Sequence, residues 1–105
     1  MKRIHLIGIC GTGMASLAVM LKERGLHISG SDEHIYPPMS DMLLAHGIIP
    51  LKGYRAEHVS GDLDTVVIGN AVSRGNPEVE AVLDQALRYV SFPEFVREEF
   101  LRDSK

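Results

Sequence analysis

Three glycines, Gly8, Gly11 and Gly13, stand in the stretch GICGTGMASLAVML between an apolar strand-like run and a helix-like run. Glycine tolerates positive φ and lets backbone N–H groups come close to a ligand. The helix that starts beyond them offers unpaired N–H groups and the positive end of its dipole. Such a loop can hold a diphosphate without any basic side chain. It lacks the lysine of a G-x-x-x-x-G-K-[ST] loop, so it is expected to bind a nucleotide diphosphate without reacting it. Read from Gly11, the G-x-G-x-x-G spacing runs Gly11, Gly13 and then Ser16 rather than glycine or alanine. The position after a strand and before a helix strengthens the reading; a tight strand-to-helix turn with no ligand is the alternative.

Asp32 lies in GSD, 21 positions after Gly11. A dinucleotide-binding fold places its ribose-binding acid there. The same carboxylate can accept from an N–H of a base, or serve only as a turn or N-cap residue. A second loop, GNAVSRGNPEVEAVL, runs from Gly69 to Leu83. It follows a central strand, at the edge where open α/β sheets bind ligands. Asn70 donates and accepts, Arg74 can reach a phosphate or a sugar acid, and Asn76 reads equally well as an N-cap.

These residues need elements to hold them. Arg3–Gly8 reads as a buried strand. Met14–Arg24 reads as a helix, with Met14, Leu17, Ala18 and Leu21 on one face and Gly25 as its stop. Leu26–Gly30 is a second strand. Pro37-Pro38 breaks the chain before a helix over Met39–His46, ended by Gly47. Ile48–Leu51 is a third strand, and Ala56–Asp64 a helical turn and loop. Thr65–Gly69 is β-branched and central in character. Asn76-Pro77 opens a helix through Leu87, and Arg88–Val90 is a short fifth strand. Ser91-Phe92-Pro93-Glu94 has capping-box spacing and opens a last helix. Phe92, Phe95, Val96 and Phe100 form its apolar stripe, and Arg97, Glu98, Glu99 and Arg102 its wet face. Strands alternate with helices throughout, which predicts an α/β fold: a Rossmann-like open parallel sheet of about five strands with helices on both faces.

The chain has 105 residues, 45% apolar and 24% charged, with a formal net charge of −3. That is one domain's worth of chain. The charge gives no push toward nucleic acid or an anionic membrane, so no nucleic-acid or membrane partner is expected. The apolar run from Met14 to Leu21 is too short to span a bilayer. The single cysteine, Cys10, allows no internal disulfide and fits a cytoplasmic protein. Packing against the loop is its expected role. His5, His27, His34, His46 and His58 show no metal-ligand spacing, so no metal is expected, and each is read as a core or solvated residue.

Taken together, GICGTGM, GSD with YPPMS, and GNAVSRGNPEVEAVL resemble the N-terminal domain of the Mur ligase family, from Ile4 to about Phe95. Cys10, Gly53-Tyr54 and Gly69-Asn70-Ala71 stand where the alanine-adding branch tends to have a further glycine, Gly-His and Ser-x-Ala. These departures favour the branch that adds a tripeptide in peptidoglycan recycling. The resemblance implies a three-domain ligase. Residues 1–105 would bind the UDP part of UDP-N-acetylmuramic acid, a central domain would bind ATP and Mg2+, and a C-terminal domain would bind the incoming peptide. This chain is then expected to bind but not catalyse. Gly11, Thr12, Gly13 and Met14 would face the diphosphate. Ser31, Asp32 and Glu33 would lie near uracil or ribose, with Asn70, Ala71 and Arg74 on the other side. Two competing readings remain: an NAD(P)-binding domain of an oxidoreductase, and a regulatory nucleotide-sensing module.

Overall fold

A computed structural model describes residues 2–101. Five parallel strands form one sheet in the order β3-β2-β1-β4-β5: β1 (Arg3–Ile7), β2 (His27–Asp32), β3 (Leu51–Lys52), β4 (Thr65–Ile68) and β5 (Tyr89–Ser91). The chain steps outward from β1 to β3, then returns past β1 to lay down β4 and β5. The order therefore reverses between β1 and β4, and the loops that leave their carboxyl ends part there.

The helices α1 (Thr12–Glu23), α2 (Met39–Ala45), α3 (Pro77–Asp84) and α4 (Phe92–Val96) cover both faces. Strand alternation sorts the core into two layers. Ile4 and Leu6 of β1 and Val67 of β4 point to the side of α1, α2 and α4. There they pack with Leu17, Leu21, Leu43, Ile48 and Phe95. Ile7 and Val66 point the other way, to Val79 and Val82 of α3. The central strands β1 and β4 carry apolar residues on both faces because both faces are covered.

Caps and stops sit where the local residues demand them. Gly25 and Gly47 follow α1 and α2 with φ of +90° and +76°, a conformation that favours glycine. Asn76 accepts from the N–H groups of Glu78 and Val79, with Pro77 opening α3. Ser91 accepts from Glu94 at the start of α4.

Several boundaries differ from the sequence expectation. β2 runs on to Asp32. β3 is only Leu51–Lys52, and Ile48 is a core residue ahead of it. The helical turn expected within Ala56–Asp64 is present, as a 3-10 turn over Ala56–His58. α3 ends at Asp84, where the chain turns through Ala86 at φ +54°. The last helix is α for Phe92–Val96 only and continues as a π-helical turn over Arg97–Leu101. Arg102 lies outside the described residues, as does the side chain of Phe100.

Candidate functional site

The carboxyl ends of β1 and β4 open onto a cleft of about 910 Å³. One wall is the glycine loop and the start of α1. The opposite wall is the segment from Gly69 to Pro77, which leads into α3. Asp32, Glu33, His34 and Tyr54 close one end, and Phe92 also borders the space. A smaller recess of about 340 Å³ shares Gly11, Thr12, Asp32 and His34 and extends toward Tyr36 and Pro37-Pro38.

Hydrogen bonds fix the glycine loop from β2. The Ser31 carbonyl accepts from Gly8 N at 2.8 Å and from Ile9 N at 3.0 Å. Asp32 Oδ2 accepts from Cys10 N at 3.0 Å, and Asp32 Oδ1 from His34 N at 3.0 Å. Gly8, at φ +88°, makes the turn. α1 then begins at Gly11 with no side-chain cap and no acid in its first turn. The first N–H groups of a helix have no partner within it, so α1 presents bare donors and a positive dipole end to the cleft. α3 differs: Asn76 caps it, and Glu78 and Glu80 fill its first turn.

The chain resembles known proteins in sequence and fold. The sequence model of the Mur ligase family, catalytic domain, matches residues 3–103. The chain is 46% identical to the UDP-N-acetylmuramate–L-alanyl-γ-D-glutamyl-meso-2,6-diaminoheptandioate ligase of Escherichia coli K12, over 96% of this chain and 22% of that protein. It is 38% identical to the UDP-N-acetylmuramate–L-alanine ligase of Lactobacillus acidophilus, over 92% of this chain and 22% of that one. The crystal structure of a murein peptide ligase from Psychrobacter arcticus superposes with a TM-score of 0.90 at 44% identity, covering 97% of this chain and 21% of the other. The chain belongs to the Mur ligase family. It matches that family's N-terminal domain and spans about a fifth of the length of these relatives.

In this Mur ligase domain, Gly11, Thr12, Gly13, Met14, Asp32, Glu33, Asn70, Ala71 and Arg74 all line the one cleft. Ser31 is the exception. Its side chain is fully buried, and its hydroxyl donates to Glu78 Oε1 at 2.7 Å. Register explains why: Ser31 pairs with Ile7 in β1, whose side chain points to the α3 layer. Arg74 is exposed, and its Nε donates to Glu80 Oε2 at 3.0 Å, an oxygen that Gly75 N also reaches.

Tyr54 in the cleft and Cys10 at the smaller recess carry shifted acids. Burial first, and then the charges of Asp32 and Glu33, push the Tyr54 phenol up to about 12. Tyr54 therefore stays neutral and able to donate at neutral pH. Burial, with Asp32 second, raises the Cys10 thiol. Cys10 packs against the core as a protonated thiol rather than as a nucleophile.

The sequence reading missed two features. Phe92, read as core, reaches the glycine loop. A Cβ built on Gly13 would lie 2.7 Å from its ring, so Gly13 is small for packing as well as for any ligand. The second is Glu78, whose side chain is fully buried. Its Oε1 accepts from His5 Nε2 at 2.7 Å and from Ser31. Its Oε2 accepts from His58 Nδ1 at 2.7 Å and from Arg55 N at 3.1 Å. Burial pushes this carboxyl up, but the hydrogen bonds from His5, Ser31 and His58 outweigh it and hold the group below the usual carboxylate range. His5 in β1 and Ser29 and Ser31 in β2 fall at alternating positions on one face, and that polar stripe was the available signal.

Proposed function

We propose that this domain holds the UDP part of UDP-N-acetylmuramic acid within an ATP-dependent ligase that joins murein tripeptide to that sugar nucleotide. The observation that carries the reading is the uncapped, acid-free start of α1 at the point where strand order reverses. A diphosphate seated there meets backbone donors and the helix dipole. An acidic domain can bind an anion in this way because the attraction comes from oriented N–H groups and not from net charge.

Each wall has a role in this reading. Gly11, Thr12, Gly13 and Met14 bind the diphosphate through the backbone. Asp32, with Glu33 beside it, faces ribose or uracil. Asp32 accepts one bond on each oxygen, from Cys10 N of the glycine loop and from His34 N just after it, and a carboxylate oxygen has room for a second. Asn70, Ala71 and Arg74 border the ligand from the other side. The similarity to the tripeptide-adding relative exceeds that to the alanine-adding one, 46% against 38%. This supports the tripeptide as the second substrate.

ATP and Mg2+ do not fit these residues. The sequence has no G-x-x-x-x-G-K-[ST] loop, and Asp32 and Glu33 stand at the sugar-nucleotide cleft. We assign ATP, Mg2+ and peptide binding to a central and a C-terminal domain beyond this stretch of chain, and a cytoplasmic setting follows from those substrates. This domain's own contribution is to bind and orient.

The test is a titration of the ¹⁵N-labelled chain with UDP-N-acetylmuramic acid, with NADH and ADP as controls. Amide shifts at Gly11–Met14, Asp32 and Asn70 with the UDP sugar alone are expected. Shifts with NADH alone would replace this reading with a dinucleotide-binding one.

A further inference from the structure

We propose that Glu78 is a positioning residue of the cleft, one buried carboxylate that clamps the Tyr54–Arg55 segment and the start of α3 onto β1 and β2. The clamp rests on the reading of the cleft as a ligand site, but its geometry stands apart from which ligand binds.

A carboxylate has about four acceptor positions, and here all four are filled. The donors come from β1 (His5), β2 (Ser31), the segment before the 3-10 turn (Arg55) and the turn itself (His58). These segments are far apart in the chain: His5 and Glu78 are separated by 73 positions. Removing a charge from water is costly, and an apolar side chain of similar size fills space as well. What the carboxylate adds is direction, because each donor must point at one oxygen. Glu78 is the second residue of α3, directly after Asn76 and Pro77, which line the cleft. Arg55 directly follows Tyr54, which lines it from another side. One side chain therefore sets how two parts of the cleft stand relative to β1 and β2.

The donors are not equivalent. The Arg55 N–H can only donate. His5 can reverse its role by moving its proton to Nδ1, which then donates to Ser29 Oγ, 2.8 Å away. Ser31 can reverse by rotation. An amide in place of the carboxylate can therefore keep its oxygen toward Arg55 and His58 and turn its NH2 toward His5 and Ser31. Glu78→Gln preserves the clamp only while His5 is neutral. The wild-type carboxylate accepts from His5 in either charge state. Its titratable neighbours are His5 from β1, His58 from the 3-10 turn and Tyr54 from the adjoining segment; β2 brings only hydroxyls. Because the folded carboxyl is held below its usual range, the unfolded chain takes up this proton first as pH falls. The stabilisation is complete above the ordinary carboxylate range and is lost in acid below it.

The experiment follows amide hydrogen exchange in wild type, Glu78→Gln and Glu78→Ala, with UDP-N-acetylmuramic acid affinity read at Gly11–Met14. In Glu78→Ala the Arg55 amide should exchange about tenfold faster than the change at the β4 amide of Val67 accounts for, and affinity should fall by a similar factor. Glu78→Gln should restore both near neutral pH and release Arg55 at a higher pH than wild type does on acidification. Equal changes at Arg55 and Val67 with unchanged affinity would reduce Glu78 to a stability role and overturn the proposal. If Glu78→Ala does not fold, the pH profiles of Arg55 in wild type and Glu78→Gln decide, and identical profiles overturn it. If the UDP sugar shifts no wild-type amide, the ligand reading falls while the exchange data still judge the clamp.

Discussion

Two helices begin at the same cleft, one after the β1 loop and one after the β4 loop, and they treat their first N–H groups in opposite ways. α1 starts at Gly11 with no side-chain cap and no acid. α3 is capped by Asn76, whose side-chain Oδ1 accepts two N–H bonds, and carries Glu78 and Glu80 in its first turn. A capped, acid-filled helix start has already spent its donors and its dipole on its own chain. A bare one keeps them for something else. On the proposed reading, the difference gives anion binding to one wall of the cleft and structural fixation to the other.

The strongest way to break that contrast is to make α1 resemble α3. Gly11 has φ −63° and ψ 148°, the extended geometry of an N-cap, so Gly11→Asp should cap α1 and place a carboxylate where the diphosphate would sit. Like charges brought together in binding cost several kcal/mol. UDP-sugar affinity should therefore fall by about a hundredfold while thermal stability holds or rises, as calorimetry can show.

Alanine scanning of the same loop sharpens the point. Gly13→Ala drives a Cβ to 2.7 Å from the Phe92 ring and should lower stability by about 1–3 kcal/mol through overpacking. Gly11→Ala meets nothing closer than 3.5 Å and loses only the N-cap preference of glycine over alanine, so stability in denaturant melts should fall by no more than about 1 kcal/mol. Any affinity lost in that variant then reports a ligand close to the backbone. Unchanged affinity would mean that the loop is only a turn.

On the other wall, Asn76→Ala removes the cap from α3. It should cost about 1 kcal/mol, a fall in Tm of about 5 °C, with the amide shifts of Gly11–Met14 unmoved. The smallest effect is expected at Arg74→Ala. The Arg74–Glu80 pair is solvent-exposed, and such pairs contribute at most about 1 kcal/mol. Its melting curve should match wild type, so a weaker UDP-sugar titration would mark Arg74 as leaving Glu80 for the ligand.

The site was partly legible in advance for a definite reason. The glycine loop, the Asn76-Pro77 cap and the stops at Gly25 and Gly47 are written in neighbouring residues, because caps and turns are satisfied within a few positions of backbone. The parallel sheet followed from the alternation of strands and helices, and the strand order seen in the structure brought the two loops together. Ser31 was misplaced because its face depends on pairing with Ile7 in β1. A shift of one residue along a strand reverses every side chain.

By itself the sequence determined the class of fold, the two loops that meet at the sheet's carboxyl edge, and the uncapped start of α1. Each of these rests on local propensity and periodicity. Only the tertiary structure decided that Phe92 lies on Gly13, that Asp32 braces the glycine loop, and that Glu78 gathers His5, Ser31, Arg55 and His58 on one carboxylate. Those contacts join residues distant in sequence. They depend on strand register and on the rotation of α3 about its axis, which packing of the whole core sets and no short stretch of residues encodes.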